Sequence, residues 1–462
     1  MADFIVRLSS LTLTNIKNVK KGTIFMPLTK NHDLDSAKSE ILGIYGQNGS
    51  GKTAIIDTLY FLQKIIIGDI LDDELINYMN IDSSGAKVDA EFNIWGDNIL
   101  FEVGYHIHLA KSNDEVFIER EYLTCAFNKD GKRTNKNIFM DYNRADLSSI
   151  FKPQKRLDEL TGKNKELITD LIVAKKMAEK SNCSYVFGEY SRDIFFNKQE
   201  NNFQNYSVVI NTLFNFALMD LFVIRNSHSG LISTNFILPM TFRVEKNKMG
   251  IKGDFAIPLS QAVVLDGEHK ELLIAIVEQI NIVLCTIIPG MSIEVKNYGK
   301  QALDSGEEGW KIELMSSREG KKVIPIRMES DGIIKIISIL NALIQAFANP
   351  SICLVIDELD SGIFEYMLGE LLDIFNNNAK GQLIFTSHNL RALEMLDKDS
   401  IMFSTTNPFN RYIHMKKVKG TNNLRSMYIR SITLGGQEET IYEETDSLKI
   451  SKAFRKAGRK LK

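Results

Sequence analysis

Eight consecutive residues, Gly46-Gln47-Asn48-Gly49-Ser50-Gly51-Lys52-Thr53, satisfy the pattern G-x-x-x-x-G-K-[ST] at every defined position. Together these residue types suit the grip on a triphosphate. Glycines let the backbone wrap an anion with its N–H groups turned inward. A helix opening at the lysine adds its positive N-terminal end. Lys52 can then reach the β- and γ-phosphates, and the Thr53 hydroxyl can ligate Mg²⁺. The expected ligands of residues 46–53 are therefore ATP and Mg²⁺.

Two further segments carry complementary chemistry. In Ser351-Ile-Cys-Leu-Val-Ile-Asp357-Glu358 an apolar run ends in two carboxylates. Asp357 is placed to hold Mg²⁺ through water, and Glu358 to orient or deprotonate an attacking water. In Ile384-Phe385-Thr386-Ser387-His388-Asn389 a polar trio follows a short apolar run. There His388 is a candidate sensor of the γ-phosphate, because parallel sheets carry ligands at the C-terminal ends of their strands.

These residues need elements to position them. Residues 41–45 read as a short buried strand, and Thr53 to Ile67 has apolar residues at helical spacing, so the glycine-rich loop lies between strand and helix. Residues 4–13 and 23–26 read as a strand hairpin, and about 87–125 as antiparallel strands. Residues 130–228 look mostly helical. Within them, 155–180 carries Leu157, Leu160, Leu167, Leu171 and Ala174 on one face, as a surface helix of an insertion or a short helical arm would. The most apolar stretch, Val208 to Ile224, is interrupted by Asn211, Asn215 and Asp220 and is shorter than a membrane span, so a buried helix is expected. Beyond a long helix at 268–287 and strands at 292–295, 310–315 and 323–326, helices at 333–347, 365–375 and 390–396 alternate with strands at 352–356 and 383–386. That alternation gives a parallel sheet.

Composition bounds the alternatives. The 462 residues are long for one compact core, so two or three domains or a large insertion are expected. The formal net charge of −2 supplies no global field for nucleic acid or acidic membranes. Four widely spaced cysteines (Cys125, Cys183, Cys285 and Cys353) make no zinc or redox pattern. The N-terminal residues have no signal-peptide character, and a cytoplasmic protein without a membrane partner is expected. His106 and His108 share a strand face without a further ligand cluster. The tail 449–462 has basic side chains and no acids, as a solvated helix or a contact for a partner or nucleic acid would.

Taken together, the loop 46–53, Asp357-Glu358 and His388 resemble the ABC-type ATPase head, in the branch shared with SMC, RecF and OLD proteins. The resemblance covers about 1–125 and 290–420. It implies an α/β fold with mixed, antiparallel and parallel sheets and a largely helical insertion. The implied domains are 1–125 and 291–420 as the halves of the head, 126–290 as the insertion, and 421–462 as a basic, partner-binding tail. By the same resemblance Leu359-Asp360-Ser361-Gly362 is a D-loop, and Met328-Glu329-Ser330-Asp331-Gly332-Ile333 a signature whose Ser330 and Gly332 touch the γ-phosphate held by a second copy. A serine and a glycine at a helix start do offer donors to an anion. Asn15-Ile16-Lys17 resembles an early family segment that brings a basic residue, here Lys17, near the nucleotide. The family's Q-loop has no counterpart, since no glutamine lies between Gln63 and Gln154.

The end of the chain, Asn422 to Arg430 followed by Leu434-Gly435-Gly436-Gln437, resembles ATPases of prokaryotic anti-phage operons: those of the PARIS and Septu systems and the lactococcal abortive-infection protein AbiLi. That resemblance implies a separately encoded nuclease or toxin as effector and a phage-derived trigger. The fused metal-binding nuclease domain of OLD proteins is not expected within the roughly 74 residues that follow His388, fewer than a typical minimal domain needs. The alternative from the same branch is a RecF-like ATPase acting on DNA.

Overall fold

The computed structural model describes residues 4–30, 38–112, 115–129, 131–197, 204–234, 236–246, 249–303, 305–415 and 423–459. Asn422 and the last three basic-tail positions lie outside them.

The candidate site residues hang on a six-stranded sheet, order β19-β18-β3-β17-β16-β9. Its strands are β3 (Glu40–Tyr45), β9 (Leu221–Ile224), β16 (Cys353–Ile356), β17 (Gln382–Ser387), β18 (Ile401–Ser404) and β19 (Tyr412–Ile413). All neighbours are parallel except β18 and β19. β3, β16, β17 and β18 are buried along their whole length, which explains their unbroken apolar runs. Register brings their C-terminal ends level: Tyr45 pairs with Ser387 and Phe403, and Ile356 with Phe385 and Ile224. Residues just past these ends therefore share one crevice.

One face of this sheet is covered by helix α1 (Lys52–Ile66), which buries Ile55, Ile56, Leu59, Leu62 and Ile65. Against it packs a seven-stranded antiparallel sheet of β1 (Ile5–Ile16), β2 (Val19–Phe25), β4 (Gly85–Gly96), β5 (Ile99–Ser112), β6 (Glu115–Lys129), β7 (Lys132–Arg133) and β8 (Asn137–Asn143). α1, this sheet and the helices that follow form one apolar core. The other face packs on α8 (Asp331–Ala348), α9 (Glu365–Asn378), α10 (Ala392–Met395) and α11 (Leu424–Leu434). α12 (Ser447–Arg459) ends the described chain with no residue buried.

The segment 126–290 is more mixed than its composition suggests. α2 (Gln154–Thr161) and α3 (Lys165–Ser181) replace the single helix read over 155–180, because the chain turns left-handed at Gly162, φ 55°. Leu157, Leu160, Leu167, Leu171 and Ala174 then enter the first core, so the stripe faces inward and makes no arm. α4 (Glu189–Asn197) and α5 (Gln204–Asn215) follow. Val208–Ile224 is a helix only to Asn215. A π-turn, Phe216–Asp220, hands it to β9, inside the core sheet.

Beyond α6 (Asn226–Ser233) come the hairpin β10 (Ile237–Lys246) and β11 (Met249–Pro258), then a small sheet of β12 (Val263–Leu265), β13 (Met291–Ala302), β14 (Glu308–Arg318) and β15 (Ile324–Pro325), with α7 (Gly267–Ile287). These enclose a third core. α8 lies between two cores, giving Ile336, Ile339 and Ala342 to one and Ile334, Ile337 and Leu340 to the other. It is the one described helix long and apolar enough to cross a membrane. Burial on two faces accounts for that composition.

Candidate functional site

Loop 46–53 joins the end of β3 to α1 and is tied from outside. Asn18 donates to the Gly49 carbonyl, Tyr412 donates its hydroxyl to the Gly51 carbonyl at 2.6 Å, and Ser50 donates to the Gln47 carbonyl at 2.6 Å. The Ser404 hydroxyl meets that of Ser50 and donates to the Tyr45 carbonyl at 3.1 Å. The first amides of α1 have no acceptors within the helix, as at any helix start. Gly46, Gly49 and Gly51 have φ of 156°, 76° and 91°. A Cβ on Gly46 would lie 1.8 Å from the Ser404 hydroxyl, so loop and β18 can approach only because that residue is glycine.

Lys52 folds back over the loop. Its ammonium donates to the carbonyls of Gly46 and Gln47 at 2.9 and 3.1 Å. Burial lowers its pKa, and the nearby carboxylates of Asp357, Glu358 and Asp360 oppose that shift. Thr53 is exposed beside it.

Past the end of β16, Asp357 is buried and accepts a 2.6 Å hydrogen bond from the Thr386 hydroxyl. The same hydroxyl accepts from the Glu358 amide at 2.7 Å. Glu358 stands at φ 50°, a left-handed conformation that a non-glycine residue keeps only when its surroundings fix it. Thr386 fixes its amide, and the buried Lys335 ammonium fixes its carbonyl. Burial pushes the Lys335 pKa down to about 8, against the pull of Asp360, Glu358 and Asp357. Asp360 accepts from the His388 amide at 3.0 Å, and Leu359 donates to the Thr386 carbonyl at 3.0 Å. The His388 pKa is lowered, first by desolvation and then by Lys52, while the three carboxylates oppose the shift.

The crevice thus gathers loop 46–53, Asp357, Glu358, Asp360 and His388, all singled out from sequence. Ser330 and Gly332 stand apart, at the start of α8. Ser330 is exposed and makes no side-chain cap bond. Gly332 is buried against Gly362, and a Cβ there would lie 1.9 Å from the Gly362 carbonyl oxygen. Lys17 sits in the β1–β2 turn and pairs with Asp57 of α1, not with the loop itself. Asp57 also receives Arg225, whose Nε lies 3.1 Å away and which donates to the Tyr78 hydroxyl at 2.6 Å.

Sequence reading missed Thr386, Lys335, Asp57, Arg225 and Tyr412. Lys335, the lone lysine among Ile333-Ile334 and Ile336-Ile337, and Asp57 in the apolar α1 each signalled a buried charge that needs a partner. Arg225 follows an apolar run directly, as the acids do at 357–358. Tyr412 gave no local signal. Among the described residues no group of three or more His, Cys, Asp or Glu side chains is placed to hold a metal ion by itself. Mg²⁺ commonly binds through one or two protein oxygens plus substrate phosphates, and the Thr53 hydroxyl and the Asp357 carboxylate are oxygen donors of that kind.

No family model matches the chain, and no curated protein does. Among solved structures it is similar to SMC head domains. The Thermotoga maritima head is 13% identical, with 89% of this chain and 99% of that chain covered and a TM-score of 0.35. The Pyrococcus furiosus head with an extended coiled coil, bound to the C-terminal domain of ScpA, is 13% identical, covering 89% and 96% at a TM-score of 0.39. The Pyrococcus yayanosii head with coiled coil and joint is 13% identical, covering 92% and 99% at a TM-score of 0.39. The functional reading rests on the site's own residues.

Proposed function

We propose that the chain binds ATP in loop 46–53 and hydrolyses it with Glu358, as one half of a site that a second copy completes. The observation that carries this reading is the level alignment of strand ends. It brings a phosphate-gripping loop, a buried aspartate and a glutamate held at φ 50° into one crevice. On binding, Lys52 exchanges the Gly46 and Gln47 carbonyls for phosphate oxygens. Thr53 and Asp357 would hold Mg²⁺, which neutralises phosphate charge. Glu358 orients the attacking water and receives its proton, and His388 lies where it can sense the γ-phosphate.

The unused Ser330 hydroxyl supports a composite site. It stands beside the first amides of α8, a geometry that accepts an anion from another copy. ATP would draw two copies head to head, and hydrolysis would release them. Asn422 to Arg430 and Leu434 to Gln437 resemble the corresponding part of anti-phage ATPases, and on that ground we assign the chain as a sensor or switch subunit in abortive-infection defence. It would answer a phage-derived trigger and control a separate nuclease or toxin. A second reading, action on DNA ends or gaps, draws on α12, where Lys449, Lys452, Arg455, Lys456 and Arg459 are all exposed. Salt-sensitive DNA binding by the isolated protein would favour it.

The test is size-exclusion chromatography and turnover with and without ATP. Lys52→Ala should lose nucleotide binding. Glu358→Gln should bind ATP, stop turning it over and accumulate as the larger species. Wild-type turnover by Glu358→Gln would overturn the assignment. Co-purification of a nuclease with the native protein would test the defence role.

A further inference from the structure

A second concavity lies at the other end of the core sheet, away from the nucleotide crevice. Its volume of about 730 Å³ falls within the range of small-molecule sites. The three polar residues that interrupt the apolar stretch 208–224, Asn211, Asn215 and Asp220, all line it. The apolar residues Val209, Ile210, Leu213 and Ala217 of the same stretch belong instead to the core. Thr212 lines the cavity as well. It is only 9% exposed, and among the described residues its hydroxyl has no hydrogen-bond partner, not even the helix carbonyl one turn back. That hydroxyl is not among the unpartnered atoms sealed from solvent, so it is open to a ligand that enters the cavity.

The lining selects the chemistry. Asn211 and Asn215 each offer a carboxamide, donor and acceptor side by side, and Asn349 offers its amide donor, its oxygen accepting from the Ser351 amide at 2.9 Å. Phe4 and Phe216 supply flat apolar walls. Arg243 and Asp220 are paired at 2.9 Å, so the charges inside already answer each other. The exposed acid Asp97 at the edge repels anions. A neutral heterocycle with alternating donors and acceptors fits this set, and a phosphorylated one does not. We propose that the cavity binds a nucleobase in the form of a free nucleoside.

Such a ligand would act on the crevice. Asp220 leads directly into β9, and Ser351 leads through Ile352 into β16. Each strand is four residues long. Their far ends carry Arg225 and Asp357, so an occupant bridging α5 and the 349–351 turn sets the two strands against each other.

The experiment is calorimetric titration of the full chain with adenosine, guanosine, cytidine and uridine, with and without saturating ATP. At least one nucleoside should bind wild type and Lys52→Ala alike in the absence of ATP, and saturating ATP should change its affinity without displacing it. Asn211→Leu and Thr212→Val should weaken it tenfold or more while ATP binding stays at the wild-type level, which shows that both variants fold. The 5′-monophosphate of that nucleoside should bind more weakly than the nucleoside. The proposal fails if no nucleoside binds at about 1 mM, if ATP displaces it, or if both variants bind it like wild type. ATP binding is read in the same samples, so failure of the nucleotide site would be seen separately.

Discussion

Thr386→Val isolates the strained carboxylate. The substitution keeps the shape of a fully buried side chain and removes only its hydroxyl. That hydroxyl donates to Asp357 at 2.6 Å and accepts from the Glu358 amide at 2.7 Å. A hydrogen bond to a charged group contributes roughly 1.5–3 kcal/mol, and a buried amide left unpaired costs roughly 1–3 kcal/mol. The two belong to one network and do not add in full, so the loss is about 3 kcal/mol. Glu358 at φ 50° carries a further ~1–2 kcal/mol of strain that the lost bond no longer opposes. Its peptide should relax, and a displaced general base should slow hydrolysis about tenfold or more. Loop 46–53 is untouched, so ATP binding should stay within about twofold on the same reasoning of unlinked sites. Urea unfolding, steady-state hydrolysis and fluorescent-nucleotide titration read the three quantities, and Thr386→Ser should restore most of each. Wild-type hydrolysis and stability in Thr386→Val would refute the claim that this hydroxyl holds the catalytic geometry.

Two further outcomes follow from charges near the crevice. Lys335 has its folded pKa depressed to about 8 from 10.5, so the unfolded chain binds its proton more tightly between those values. Its contribution therefore rises with pH across that window, by about 2 kcal/mol from pH 8 to pH 10. In paired urea titrations the wild type should gain that much more than Lys335→Met, and an equal gain would show that Lys335 titrates normally. Asp331, in the first turn of α8, places a carboxylate where the partner's γ-phosphate would approach. Asp331→Asn should strengthen ATP-driven self-association severalfold by light scattering, and weaker association would place the contact elsewhere.

What was legible in the sequence followed from local pattern. A loop of fixed spacing, an apolar run ending in two acids and another ending in Ser387-His388 each mark a strand end, and parallel register brings strand ends together. What was hidden depends on contacts between distant segments. Tyr412 lies 361 residues from the carbonyl it holds, and Asn18 comes from a different sheet. The run 208–224 misled because apolarity fits a buried helix and a buried strand equally, and here one hands over to the other at a π-turn. The stripe on 155–180 has helical period, but Gly162 breaks it, and period alone does not say which way a stripe faces.

Lys335 gives the composite-site reading its physical connection. It lies on α8, little more than one helical turn past Ser330, the residue proposed to meet the second copy's nucleotide. Its ammonium reaches the carbonyl of Glu358, the residue proposed to activate water. In the free chain the carboxylates of Asp357, Glu358 and Asp360 face both Lys52 and Lys335. On the proposed reading, when Lys52 turns to the phosphates Lys335 would remain beside those acids, together with the Mg²⁺ at Asp357, and keep fixing the Glu358 peptide. A shift of α8 on meeting a partner would then move a side chain that braces the glutamate backbone. Gly332 packed on Gly362 transmits the same shift to the loop carrying Asp360, because no Cβ cushions the contact. On the proposed reading, hydrolysis would depend on where α8 sits, and engagement of a second copy would set that position.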